Sequence, residues 1–204
     1  DFILRYDKKK EEVEKTVSGA DLMFCLDFND ASRTAEIEPF ITESKAKKVL
    51  IDHHLDPNID VEIKVSHPEA CSTCELVFRI IWQLGGFDSM DKDVAVPIYC
   101  GMMTDTGGFT YNSNRPEIFF IISQLLTKGI NKDKIYRNVF NNYSVWRLRL
   151  MGFVMYTKLN VFNEYHSSYF TLTKQDLKHF HFIKGDAEGL VNMPLQIKGM
   201  KLSI

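Results

Sequence analysis

Along the chain, short apolar runs of strand length alternate with stretches of helical period. Residues 8–17, KKKEEVEKTV, have helical composition that Gly19 would close. Ala20–Leu26 is an apolar run that breaks into Asp27-Phe28-Asn29-Asp30, and Val49-Leu50-Ile51 breaks without a spacer into Asp52-His53-His54. Between them, 33–44 predicts a helix despite Pro39, while the alternation over 61–65 predicts a strand. Ser72-Thr73-Cys74-Glu75 is a capping-box pattern that opens a helix running to about Gly85. Val94, Ile98 and Met102 recur every four residues, so 91–104 predicts a helix with Gly107 just past its end. Asn114, Asn131 and Ser144 each precede a further helix, over 115–128, 132–142 and 144–158. After 158 the texture changes. Two strand-like runs (159–163 and 167–172) adjoin, followed by a short helix and GDAEGLVNMPLQIKG.

Alternating strands and helices predict an α/β fold, a mostly parallel sheet with helices on both faces. The expected organisation is a first domain over 1–143, a connecting helix over 144–158 and the start of a smaller α/β accessory domain over 159–204. With 204 residues, 45% of them hydrophobic, the chain can bury one core and part of a second. A net charge of −2, from 25 basic and 27 acidic residues, gives no field to draw in a long polyanion. No apolar run reaches the ~18 residues of a membrane span. Four cysteines in a chain of this length do not suggest a disulfide framework. Composition therefore suggests a soluble, reduced, cytoplasmic protein, with a homodimer permitted. The start without Met and the strand-like end at KLSI suggest a fragment of a longer protein.

In an open parallel sheet, ligands bind beyond the carboxyl ends of the strands. Asp27 and Asp52-His53-His54 both sit at such ends, and Asp105 leaves a helix into a glycine-rich turn, Thr106-Gly107-Gly108. Taken singly, each is an ordinary turn former. Together, three carboxylates and two imidazoles repel and desolvate one another unless a cation holds them. Mixed oxygen and imidazole ligands suit manganese and, less strongly, magnesium or iron.

The segments CLDFND, IDHH and TDTGGF, in this order, resemble the second, third and fourth motifs of the DHH phosphoesterases. ACSTCELV, residues 70–77, is similar to a helix start of the family, and GDAEGLVNMPLQIKG resembles the opening of the DHHA1 accessory domain of members that degrade very short oligonucleotides. The resemblance spans 20–204. It implies two Mn²⁺ ions bridged by Asp27, one of them also held by His53 and Asp105. His54 would face the substrate phosphate and Asp52 would support the histidines, both counted as catalytic, with Thr106 and Gly107 as further substrate contacts. Neighbours on an extended chain point to opposite sides, so His53 and His54 are expected to take different roles. The family's first motif, a His and an Asp-x-Asp supplying the remaining ligands, has no match before residue 20, either at Asp1-Phe2-Ile3 or at Asp7-Lys8-Lys9.

The implied function is manganese-dependent, two-metal hydrolysis of short oligoribonucleotides, of 3′-phosphoadenosine 5′-phosphate, or of both, in a cleft between domains. Cyclic di-AMP or its linear dinucleotide is the alternative substrate. From another class come a non-catalytic nucleotide-binding module and a zinc-binding or redox module built on Cys71, Cys74 and His67. The zinc reading is disfavoured, because zinc needs four ligands and the capping box already accounts for Ser72 and Glu75. Trp146-Arg147-Leu148-Arg149 is expected to be structural, and His179 and His181 stand apart from the motifs.

Overall fold

The computed structural model describes residues 3–204; Asp1 and Phe2, and with them part of the Asp1-Phe2-Ile3 comparison, lie outside. Two compact units divide after Val139. The first holds α1 (Lys10–Ser18), β1 (Leu22–Leu26), a 3₁₀ segment (Ala31–Ile37), α2 (Glu38–Thr42), β2 (Lys47–Asp52), β3 (Ile63–Ser66), α3 (Thr73–Gln83), α4 (Lys92–Asp105), α5 (Pro116–Thr127) and α6 (Lys132–Phe140).

The three strands are parallel in the order β1-β2-β3. Leu50 faces one side of the sheet, packed with Cys25, Ala31 and Ile41. Ile51, the next residue, faces the other side with Ala70 and with Leu76 of α3. Burying each such side chain stabilises by roughly 1.5–3 kcal/mol, and a one-residue slip would turn both to the wrong face. The register is therefore held by the core. It pairs Leu26 with Ile51 and Asp52 with Ser66, so the residues that follow β1 and β2 leave the sheet side by side at its carboxyl edge.

The single helix expected over 33–44 is instead two pieces with a break at Ala35, whose φ is 52°. Asp30 caps the first piece by accepting the Ser32 N–H. Pro39 lies in the first turn of α2, where its missing N–H costs nothing, so it starts a new helix instead of interrupting an old one. Helices α3 and α4 lie unusually close: a Cβ on Gly101 would sit 2.2 Å from the Cys74 sulfur, so only glycine fits. This approach brings the carboxyl end of α4 to the amino end of α3.

The second unit contains α7 (Val145–Phe153), β4 (Asn160–Phe162), β5 (Ser167–Tyr169), α8 (Lys174–His179) and β6 (Leu202–Ser203). The helix expected over 144–158 ends as a π-helical turn, Val154–Lys158. Strands β4 and β5 are antiparallel, β5 and β6 parallel, over a core of Leu150, Val154, Phe180 and Leu190. A full capping box, Thr173 with Asp176, opens α8. Among the described residues, no helix is long and apolar enough to cross a membrane.

Candidate metal centre

Asp27 is the first residue beyond β1, and its N–H continues the ladder to the Ile51 carbonyl at 3.2 Å. Its φ of 65° is left-handed, a conformation Asp tolerates better than most residues and one that accumulates at functional sites. The turn swings its carboxylate toward β2. His53 Nε2 lies 3.7 Å from Asp27 Oδ1 and 3.9 Å from Asp105 Oδ2, the carboxylate closing α4. Both separations exceed a direct hydrogen bond. Both fall within the roughly 4.2 Å that two ligands about 2.1 Å from one ion can span.

The histidine is aimed from behind. His53 Nδ1 lies 3.3 Å from the Ala70 carbonyl, so Nδ1–H donates there and the Nε2 lone pair faces the two carboxylates. Burial pushes the Asp105 carboxyl upward, and Asp27 adds to the effect, while His53 and His54 pull the other way. A carboxylate at a helix carboxyl end also opposes the helix dipole. A cation bound beside these carboxylates would offset these costs.

His54 Nδ1 lies 2.7 Å from Oδ1 of Asp52, which is fully buried. The second oxygen of Asp52 has no hydrogen-bond partner among the described residues. The expectation that His53 and His54 point to opposite sides is overturned. Strand β2 ends at Asp52, the alternation stops there, and the two rings meet edge to face with centroids 4.9 Å apart. Asp27, His53 and His54 each offer a ligand atom within 4.8 Å of the others.

The substrate contact expected of Thr106 is not one its side chain can make. Thr106 is fully buried, and its hydroxyl donates to the Met102 carbonyl at 2.6 Å and accepts the Phe109 N–H at 2.9 Å. It shapes the turn instead. Gly107 lies beside it with φ 56°, and a Cβ there would press on the Tyr111 ring at 2.9 Å.

The segment ACSTCELV, expected as a helix start, also frames this cluster. Besides the Ala70 carbonyl, the Thr73 hydroxyl donates to Asp27 Oδ1 at 2.9 Å. Ser72 caps α3 by accepting the Glu75 N–H. Glu75, fully buried, accepts the Cys71 N–H and bonds both Arg79 and Arg115. Burial works against its charge, yet the Cys71 N–H and the two guanidinium groups outweigh this and hold its carboxyl below the usual range. Cys71 and Cys74 are free thiols, pushed up chiefly by burial to about 12 and about 11, so neither offers a thiolate at neutral pH. A cavity of about 500 Å³ between α4, α5 and α6, walled by Tyr99, Phe109 and Tyr136, includes none of Asp27, His53, His54 or Asp105. Cavity size does not locate the chemistry in this unit.

A parallel sheet carrying an Asp and an Asp-His-His beyond adjacent strands defines a class. Residues 2–102 match the model described as the DHH family, N-terminal domain, and the chain belongs to this family. It is 32% identical over 162 residues to the bifunctional oligoribonuclease and PAP phosphatase NrnA of Thermus thermophilus, covering 76% of this chain and 46% of that protein. An uncharacterized protein of Mycoplasma pneumoniae is 29% identical over 92 residues, 45% of this chain and 28% of its own length. Among solved structures, an exopolyphosphatase-related protein from Bacteroides fragilis is 52% identical, with a TM-score of 0.94 over 97% of this chain and 58% of that one. The chain thus spans about half the length of NrnA and of the solved relative.

Proposed function

We propose that the protein is a phosphoesterase that hydrolyses short oligoribonucleotides, 3′-phosphoadenosine 5′-phosphate, or both, with Mn²⁺. The observation that carries this reading is the position of His53 Nε2 at the carboxyl edge of the sheet, 3.7 Å from an Asp27 oxygen and 3.9 Å from an Asp105 oxygen. The similarity to NrnA supports the nucleotide substrates. A formal charge of −2 suits substrates with few phosphates better than a long polyanion. Residues 159–204, by this proposal, belong to an accessory domain.

The donor set fits a divalent cation: two carboxylate oxygens and one imidazole nitrogen, the combination that manganese favours. Asp27, His53 and Asp105 would hold it. Bound there, the metal supplies charge neutralisation at phosphorus and activation of the attacking water. The protein's own groups do the rest. The Ala70 carbonyl keeps the His53 proton on Nδ1, so that Nε2 remains a ligand. Asp52 holds Nδ1–H of His54, which leaves Nε2 to donate to a phosphate oxygen when the ring carries a second proton. That donor meets charge as it builds on the phosphoryl group, where a pre-aimed hydrogen bond counts most. Gly107 keeps the turn after Asp105 compact.

The test is an assay of the full-length protein with Mn²⁺ against 3′-phosphoadenosine 5′-phosphate, a five-nucleotide RNA and cyclic di-AMP. Inorganic polyphosphate belongs in the panel because the solved relative is described as exopolyphosphatase-related. The expected result is phosphate from the first substrate or mononucleotides from the second, lost with chelator and restored by Mn²⁺. Turnover of polyphosphate alone would reassign the substrate, and unchanged turnover under chelator would refute the metal-dependent reading.

A further inference from the structure

We propose that Thr73 is a positioning residue that fixes the Asp27 carboxylate for metal binding, an inference that rests on the reading of Asp27 as a ligand. The side chain of Asp27 is 56% exposed, so packing does not hold its rotamer. Its left-handed backbone sets where the side chain starts, not where its oxygens finish. Among the described residues, the Thr73 hydroxyl is the one hydrogen-bond donor to that carboxylate, 2.9 Å from Oδ1. Thr73 itself is 5% exposed and is the first residue of α3. Ser72 caps the helix on one side of it, and Glu75 ties the preceding loop to Arg79 and Arg115 on the other. A β-branched side chain on a clamped backbone has few rotamers. A mobile carboxylate is thus bonded to an immobile hydroxyl.

The consequence is directional. The oxygen that Thr73 holds is the one 3.7 Å from His53 Nε2. A donated O–H occupies one lone pair of Oδ1 and leaves the other lone pair and Oδ2 for cations. A buried threonine that merely satisfies its own hydroxyl would make the same contact without affecting metal affinity, and this difference is measurable.

Mn²⁺ binding to the full-length protein, followed by electron paramagnetic resonance of the free ion, decides between these roles. Thr73→Val removes the donor and keeps the shape; Thr73→Ser keeps the donor and removes the methyl. The Kd for Mn²⁺ is expected to rise about 10–100-fold in Thr73→Val and to stay within about threefold in Thr73→Ser. Turnover of Thr73→Val should recover at high Mn²⁺, with kcat close to wild type. Equal Mn²⁺ affinity in wild type and Thr73→Val would overturn the proposal, as would equal losses in the Val and Ser variants. If melting curves show that Thr73→Val does not fold, Thr73→Ala carries the same comparison without placing a new methyl against the carboxylate. Failure of the wild type to bind Mn²⁺ would overturn the metal reading itself, and this proposal with it, so the two failures are told apart by the first titration.

Discussion

His54→Ala is expected to lower kcat on the nucleotide substrate by about 10²–10³-fold, the usual loss for one donor aimed at developing charge, while Mn²⁺ affinity stays nearly unchanged. His53→Ala should do the reverse, weakening Mn²⁺ binding so that excess metal restores part of the rate. The two rings are edge to face and close enough for either to reach a common ion, so their separation into roles rests on what holds each one. A backbone carbonyl holds Nδ1 of His53, and its Nε2 looks at two carboxylates. A buried carboxylate holds Nδ1 of His54, which fixes the ring's orientation. Rate measured against Mn²⁺ concentration for both variants is the check. Rescue of His54→Ala by excess metal, without rescue of His53→Ala, would reverse the assignment.

Glu75→Ala is expected to destabilise the protein by about 3 kcal/mol, measured by urea unfolding of the full-length protein. Removing one partner of a buried ion pair costs roughly 3–5 kcal/mol, and the low end applies because the guanidinium groups left behind can reach water. Arg79 and Arg115 are 39% and 35% exposed, whereas Glu75 has no exposed surface. The Cys71 N–H also loses its acceptor. Because folding lowers the Glu75 pKa from 4.5, its contribution is complete above that value and fades as pH falls through the lower, folded one. The stability difference between wild type and Glu75→Gln should therefore shrink below about pH 4.5. A difference that does not change with pH would show that shape, not charge, is what Glu75 provides. The loop it anchors carries the Ala70 carbonyl and Thr73, so Glu75→Ala should also raise the Mn²⁺ requirement.

The nearness of His53 to both Asp27 and Asp105 was legible because local patterns placed each residue. Two follow apolar runs and one closes a helix of four-residue period, and a parallel sheet gathers such ends along one edge. The helix break at Ala35 was foreshadowed by Pro39, a weak sign without the Asp30 cap that makes it intelligible. Other features depend on contacts that sequence spacing does not encode. Strand alternation stops at Asp52, one residue before His53 and His54. Thr106 is a turn hydroxyl because Met102 and Phe109 fold back onto it. Thr73 meets Asp27 across 46 residues of chain, and the only local hint was its place beside a helix cap.

The most direct test of the metal centre is anomalous diffraction at the manganese edge from crystals of the full-length protein grown with Mn²⁺. A peak is expected within bonding distance of Asp27 Oδ1, His53 Nε2 and Asp105 Oδ2. A well-ordered peak elsewhere on the protein, with those three side chains free of metal, would contradict it.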